Sequence, residues 1–173
     1  VLENAWTTIK DARIPALCEH PAAKLQDGID HNVVHGLFEL NRRLNSGWPA
    51  LVSDIPSDAG PLIAVVATCN AGGVSWAHQI LLFTSTGAFY ASTDLSGPIS
   101  DDHLVVWESE GLDGPARDGV LTITSDGSEL RAEVLADTGE TPLCCPAGAA
   151  IVTFHPAHHR VIIDRVRSVP AGS

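Results

Sequence analysis

A chain of 173 residues has room for one domain with a sizeable core and hardly for two. Apolar residues at 45% against 18% charged exclude intrinsic disorder. With 21 Asp and Glu against 10 Lys and Arg, a net charge of −11 and no run of basic residues, nucleic acid and anionic membrane surfaces are poor partners.

In chain order, the first fifteen residues read as a short helix, because Ala5, Trp6, Ile9 and Ala12 recur three and four apart and Pro15 ends the pattern. Residues 14–28 are broken by proline and carry Cys18, so an irregular, disulfide-tied segment is expected there. Residues 29–44 are ambiguous: Val33, Val34, Leu37, Leu40 and Leu44 would line one helix face, and Gly36 weakens that reading. The stretch 45–60 is rich in turn formers, with Gly47, Pro49, Pro56 and Gly60.

Beyond Pro61 the pattern becomes that of strands, expected over Leu62–Cys69, Ala77–Ser85, Ala88–Asp94, Leu104–Glu110, Val120–Thr124, Leu130–Ala136, Ala149–His155 and Arg160–Val166. Short links at Ser85-Thr86-Gly87, Asp126-Gly127 and Pro156-Ala157-His158 suit hairpin reversals. No ten-residue helical pattern separates these strands, which argues against parallel crossovers. The expected fold is α+β: a single domain over 1–173, a mostly antiparallel meandering sheet over 61–167, and short N-terminal helical segments in 1–60 packed on it, with 168–173 as a tail.

Several strings invite a chemical reading. Gly73-Val74-Ser75-Trp76-Ala77 approaches a nucleophile elbow, which would make Ser75 the nucleophile of a small serine hydrolase, with His78, His155, His158 or His159 as base. An elbow must turn a strand into a helix, and the residues after Ser75 read as another strand, so a tight strand connection is the preferred explanation. His31 and His35 would share a helix face and start a metal site, although no Glu comes after His31 to complete the zinc-protease pattern. Asp54 and Asp58 are too few for a calcium loop, and Asp101-Asp102 reads as an equally plain acidic turn. Glu108 and Glu110 alternate onto one strand face and cannot flank a sugar from opposite sides. Trp6, Trp48, Trp76 and Trp107 are scattered and are expected in the core. No cofactor is implied.

The four cysteines, Cys18, Cys69, Cys144 and Cys145, lack the C-x2-C pairs of a zinc site and fit two disulfides in an oxidising compartment. A bond between the adjacent pair would be strained, so Cys18 and Cys69 are each expected to join one of Cys144 and Cys145, with both assignments open. No apolar run approaches the ~20 residues of a bilayer span. The chain opens at Val1 and holds no Met, which is expected of a protein whose leader has been removed.

Three strings taken together, Ile14–Gly28, Val65–Trp76 and Cys144–Phe154 with its Cys-Cys-Pro-Ala-Gly start, resemble those of secreted actinobacterial envelope proteins of the LppP/LprE lipoprotein type. The resemblance covers most of 61–164. It implies a signal peptide, export, disulfides and a place in the cell envelope or outside it, with lipid attachment upstream of Val1 one way of holding the domain there. It brings no catalytic residues. The expected function is a non-enzymatic domain that binds a protein or another envelope component.

Overall fold

The computed structural model describes residues 1–44, 46–70, 75–95, 105–106, 109–110, 120–137 and 148–170. Helix α1 spans Leu2–Ile9 and buries Ala5, Trp6 and Ile9. It stops well before Pro15: the Lys10 amide closes on the Trp6 carbonyl and the Ala12 amide on that of Ile9, tightening the last turn. The chain then forms β1 (Arg13–Ile14) paired with β2 (Ala23–Lys24).

Residues 29–44 form a hairpin and not a helix, with β3 (Ile29–Asn32) and β4 (Gly36–Leu40) joined by a turn that places Gly36 at φ 78°. The turn-rich stretch after it hides a strand, β5 (Leu51–Ile55). The two long apolar runs come next as β6 (Leu62–Asn70) and β7 (Ser75–Thr84), and then β8 (Phe89–Thr93), β9 (Val105–Val106) and β10 (Ser109–Glu110). The chain ends in β11 (Val120–Asp126), β12 (Glu129–Asp137), β13 (Gly148–Ala157) and β14 (Arg160–Pro170).

All described pairings are antiparallel, as expected, but they build two principal sheets instead of one meander. In the seven-stranded sheet β6 and β7 are central. The outer edge of β6 is shared by β4 at one end and β5 at the other, and that of β7 by β8 and β10. The first sixty residues therefore supply three strands to this sheet besides packing on it. The second sheet is a meander of β11, β12, β13 and β14, with β9 added beside β12. The predicted strand over 104–110 is thus divided: β9 pairs in the second sheet and β10 in the first.

The two faces of β6 explain the layering. Leu62, Ala64 and Val66 pack with Ile123, Leu130, Ala132, Val152 and Phe154 of the second sheet. Ile63, Val65, Ala67 and Cys69 pack with Trp6, Ile9, Ile14, Leu25 and Phe38 of the N-terminal layer. A strand covered on both sides reads as a continuous apolar run, which is what the sequence shows. The helix is seated by Gly87 in the β7–β8 turn, where φ is 85° and an added Cβ would lie 2.6 Å from the Thr8 carbonyl oxygen.

The expected cysteine pairing, Cys18 and Cys69 each to one of Cys144 and Cys145, is corrected. Cys18 is bonded to Cys69, with Cα atoms 6.3 Å apart, and neither joins Cys144 or Cys145. The reason is the register: Cys69 lies on the β6 face turned toward the N-terminal layer, and Cys18 packs against the same cluster. Cys144 and Cys145 lie outside the described residues, as do Asp101, Asp102, Trp107 and Glu108. Trp48, expected in the core, is 52% exposed.

Asp58, in the turn before β6, ties both sheets together at one end. Tyr90 on β8 donates its hydroxyl to Asp58 Oδ1 at 2.6 Å, and the His158 amide donates to Oδ2 at 3.2 Å from the β13–β14 turn. His159 of that turn stacks on the Tyr90 ring with centroids 4.6 Å apart. The Tyr90 hydroxyl, ahead of the His158 amide and the His158 charge, holds the Asp58 carboxyl below its ordinary value of 3.8. A carboxyl depressed in the folded state contributes stability above its unfolded value, and the contribution is lost as pH falls through the folded one. Asp11, lowered chiefly by the Lys10 ammonium and then by the Asp27 amide, acts in the same direction. We expect the melting temperature to fall steeply below about pH 4 in the wild type and less steeply in Asp58→Asn, read from thermal unfolding at stepped pH.

Candidate binding face

The N-terminal layer carries the most unusual local geometry. Leu17 and His20 exchange backbone hydrogen bonds of 3.0 and 2.7 Å, closing a two-residue turn over Cys18 and Glu19. Both turn residues are left-handed, with φ 44° and 65°, a conformation that two-residue hairpins normally give to glycine or asparagine. The bond from Cys18 to Cys69 fastens this turn to the end of β6.

His20 comes directly after the turn and is buried, at 3% exposure. Its Nε2 lies 2.7 Å from Asp30 Oδ2 on β3, and its ring tilts against Phe38 on β4 with centroids 5.6 Å apart. Asp30 and Phe38 are cross-strand partners, so the hairpin positions both contacts at once. The carboxylate must accept, which places a proton on Nε2; Nδ1 is buried with no hydrogen-bond partner. Beside this pair is a surface cavity of about 280 Å³ lined by Leu17, Cys18, Glu19, His20, Pro21 and His35.

His35 belongs to the β3–β4 turn, which completes the face. Asn32 Oδ1 accepts the amides of Val34 and His35, each at 2.9 Å, so the side chain closes the turn. That closure leaves Val33 97% and Val34 81% exposed, two adjacent β-branched side chains in water at the tip. Such a pair stabilises nothing in the isolated fold, and apolar groups displayed together mark contact sites more often than single ones do.

The sequence-derived candidates fare differently. A common face for His31 and His35 requires a helix; in the hairpin His31 faces away from Asp30 and His35 lines the cavity, so that face does not exist. Among the described residues no group of three His, Cys, Asp or Glu side chains is placed to hold a metal ion. Ser75 opens β7, a strand of ten residues, so no strand-to-helix elbow is formed around it. Of the candidate bases, His78 Nδ1 accepts the Val120 amide at 3.0 Å between the two sheets, and His155 Nδ1 lies 2.7 Å from Asp164 Oδ2. His158 and His159 meet Asp58 and Tyr90 at the far end of the sheet from Ser75. Asp54 accepts from Ser53 and is not brought to the Asp58 carboxylate's partners. Among the described residues no helix is long and apolar enough to cross a membrane.

The His20–Asp30 pair was missed by sequence reading. The partners are ten residues apart, across a bend that only the disulfide and the hairpin define; the one signal on offer was a histidine two residues from a cysteine in a proline-bracketed string. No family model, curated protein or solved structure matches this chain.

Proposed function

We propose that this chain is an exported, non-enzymatic binding domain of a cell envelope, and that it docks a protein partner through the β3–β4 tip. The observation that carries the reading is the exposed Val33–Val34 pair, held outward by the Asn32 turn above a cavity that a partner side chain can enter. Two features support it. A disulfide between the N-terminal layer and β6 suits an oxidising compartment, where such bonds persist. The resemblance of Ile14–Gly28, Val65–Trp76 and Cys144–Phe154 to strings of LppP/LprE-type lipoproteins is in keeping with the same location.

In this reading the two valines form the apolar centre of the contact, and His31, His35 and Glu19 its polar rim. The domain is held rigid behind the tip by β4, which is hydrogen-bonded to β6. Binding then needs no large reordering of the chain, which keeps its entropic cost down.

A photo-crosslinking amino acid at Val34, in protein displayed in the envelope, tests this. The expected result is one adduct of discrete mass that disappears when Val33→Asp is added, with an unchanged melting temperature. An adduct pattern indifferent to Val33→Asp, or no adduct at all, overturns the proposal.

A further inference from the structure

A second face of the molecule brings Arg131 beside Arg165 and Arg167, which lie more than thirty residues further along the chain. In the second sheet Leu130, Ala132, Val134, Ala150, Val152, Phe154 and Val166 point into the core. The residues alternating with them point outward. Register places Thr124 opposite Arg131, Arg131 opposite Thr153 and Thr153 opposite Arg165, so one row crosses all four strands. The next row runs Thr122, Glu133, Ile151, Arg167.

Arg131, Arg165 and Arg167 are exposed, and among the described residues none of the three guanidinium groups has an ion-pair partner. The carboxylates on the same face are Asp126, which stands opposite Glu129, then Glu129, Glu133 and Asp164; Asp164 is engaged by His155, and none of the other three makes an ion pair with Arg131. Thr153, between Arg131 and Arg165 in this row, is itself only 4% exposed.

We propose that this row binds a linear anionic polysaccharide. Adjacent strands lie about 4.8 Å apart, which puts the Cα atoms of Arg131 and Arg165 roughly 10 Å from each other. A glycan with one carboxylate or sulfate per disaccharide carries its charges about that far apart. Each guanidinium then takes one oxyanion through its planar fork. Thr122 and Thr124 supply hydroxyl groups for the sugar hydroxyls between the charges. Glu129 and Glu133 flank Arg131 along its strand and repel a densely charged chain, which disfavours polyphosphate. The described part of the face offers no Trp, Tyr or Phe on which a base could stack, which disfavours single-stranded nucleic acid. The net charge of −11 does not prevent local binding, because at physiological salt the Debye length is about 8 Å.

The experiment is an amide-NMR titration of the whole chain with a hyaluronan octasaccharide, with maltooctaose, inorganic polyphosphate and oligo(dT) as comparison probes. Saturable shifts at Arg131, Thr153, Arg165 and Arg167 are expected with the uronate probe, weakening as salt rises, with no response to maltooctaose. Arg165→Ala weakens binding roughly tenfold and Arg131→Ala/Arg165→Ala abolishes it, since each removes charge-assisted hydrogen bonds from an exposed site. Arg13→Ala, elsewhere on the surface, and Val33→Asp leave it intact, and melting temperatures confirm that the variants fold. Absence of saturable shifts on this row, equal affinity in the double variant, or equal or tighter binding of polyphosphate or oligo(dT) at the same residues overturns the proposal.

Discussion

Removing the bridge with Cys18→Ala/Cys69→Ala lowers the free energy of unfolding by roughly 4 kcal/mol, read as a drop in the denaturant midpoint at little-changed slope. The size comes from the 51-residue separation of the two cysteines, whose loop-closure entropy the bond removes from the unfolded chain. The effect extends to the fold, because the turn over Cys18 and Glu19 holds two left-handed residues that do not favour that geometry on their own. Loosening this turn frees His20 from its contact with Asp30 and opens the cavity below the β3–β4 tip. A loss under about 1 kcal/mol would show that the packing of the N-terminal layer, and not the covalent link, fixes it to β6.

Gly87→Ala is the second large effect, with a destabilisation of about 2–4 kcal/mol from the strained backbone and from overpacking together. The methyl group would meet a carbonyl oxygen of α1 at 2.6 Å, and backbone cannot rotate out of the way as a flexible side chain can. Gly60→Ala separates the two contributions. Its φ is 86°, nearly the same, yet nothing lies within 4 Å of the added atom. It should cost only the left-handed penalty, about 1–2 kcal/mol. Equal losses in the two variants, measured by chemical denaturation, would mean that the helix shifts to accept the methyl group.

Sequence pattern and structure agree where a residue's environment is uniform along an element. The strands β6 and β7 were legible because both of their faces are apolar. The helix was legible from Ala5, Trp6 and Ile9, and its end was overestimated because Ala12 joins the same buried cluster from beyond the helix, just before β1. The 29–44 segment misled for a physical reason: Val33 and Val34 complete a helical period, but they are solvent-facing turn residues, and only Phe38 and Leu40 show the burial of a strand. Strand β5 is five residues long between Pro49 and Pro56, with a register shift between Val52 and Ile55 that breaks its alternation.

The binding faces were less legible than the fold. Cysteine counting led to bonds from Cys18 and Cys69 to Cys144 and Cys145, and the structure instead joins Cys18 to Cys69, because pairing depends on which face of β6 each sulfur reaches. Arg165 and Arg167 are two residues apart on β14 and share its outward face, but Arg131 is more than thirty residues away in sequence, so a search for basic clusters passes over the group; antiparallel register brings Arg131 beside them. Exposure of Val33 and Val34 required knowing that Asn32 closes a turn. The cysteine pairing and the arginine row are nonlocal, whereas the Val33–Val34 exposure depends on a local side-chain closure that periodicity does not reveal.

The division of 105–110 between two sheets has a mechanical consequence. Val105–Val106 is hydrogen-bonded to β12 in one layer, and Ser109–Glu110 to β7 in the other, within six residues of continuous chain. Shearing one layer over the other therefore stretches a covalent tether almost at once. Because each of these pairs is only two residues long, sliding the layers past each other must either stretch the short link between them or unzip one pair, so β9 and β10 are the first ladder contacts such a displacement loads.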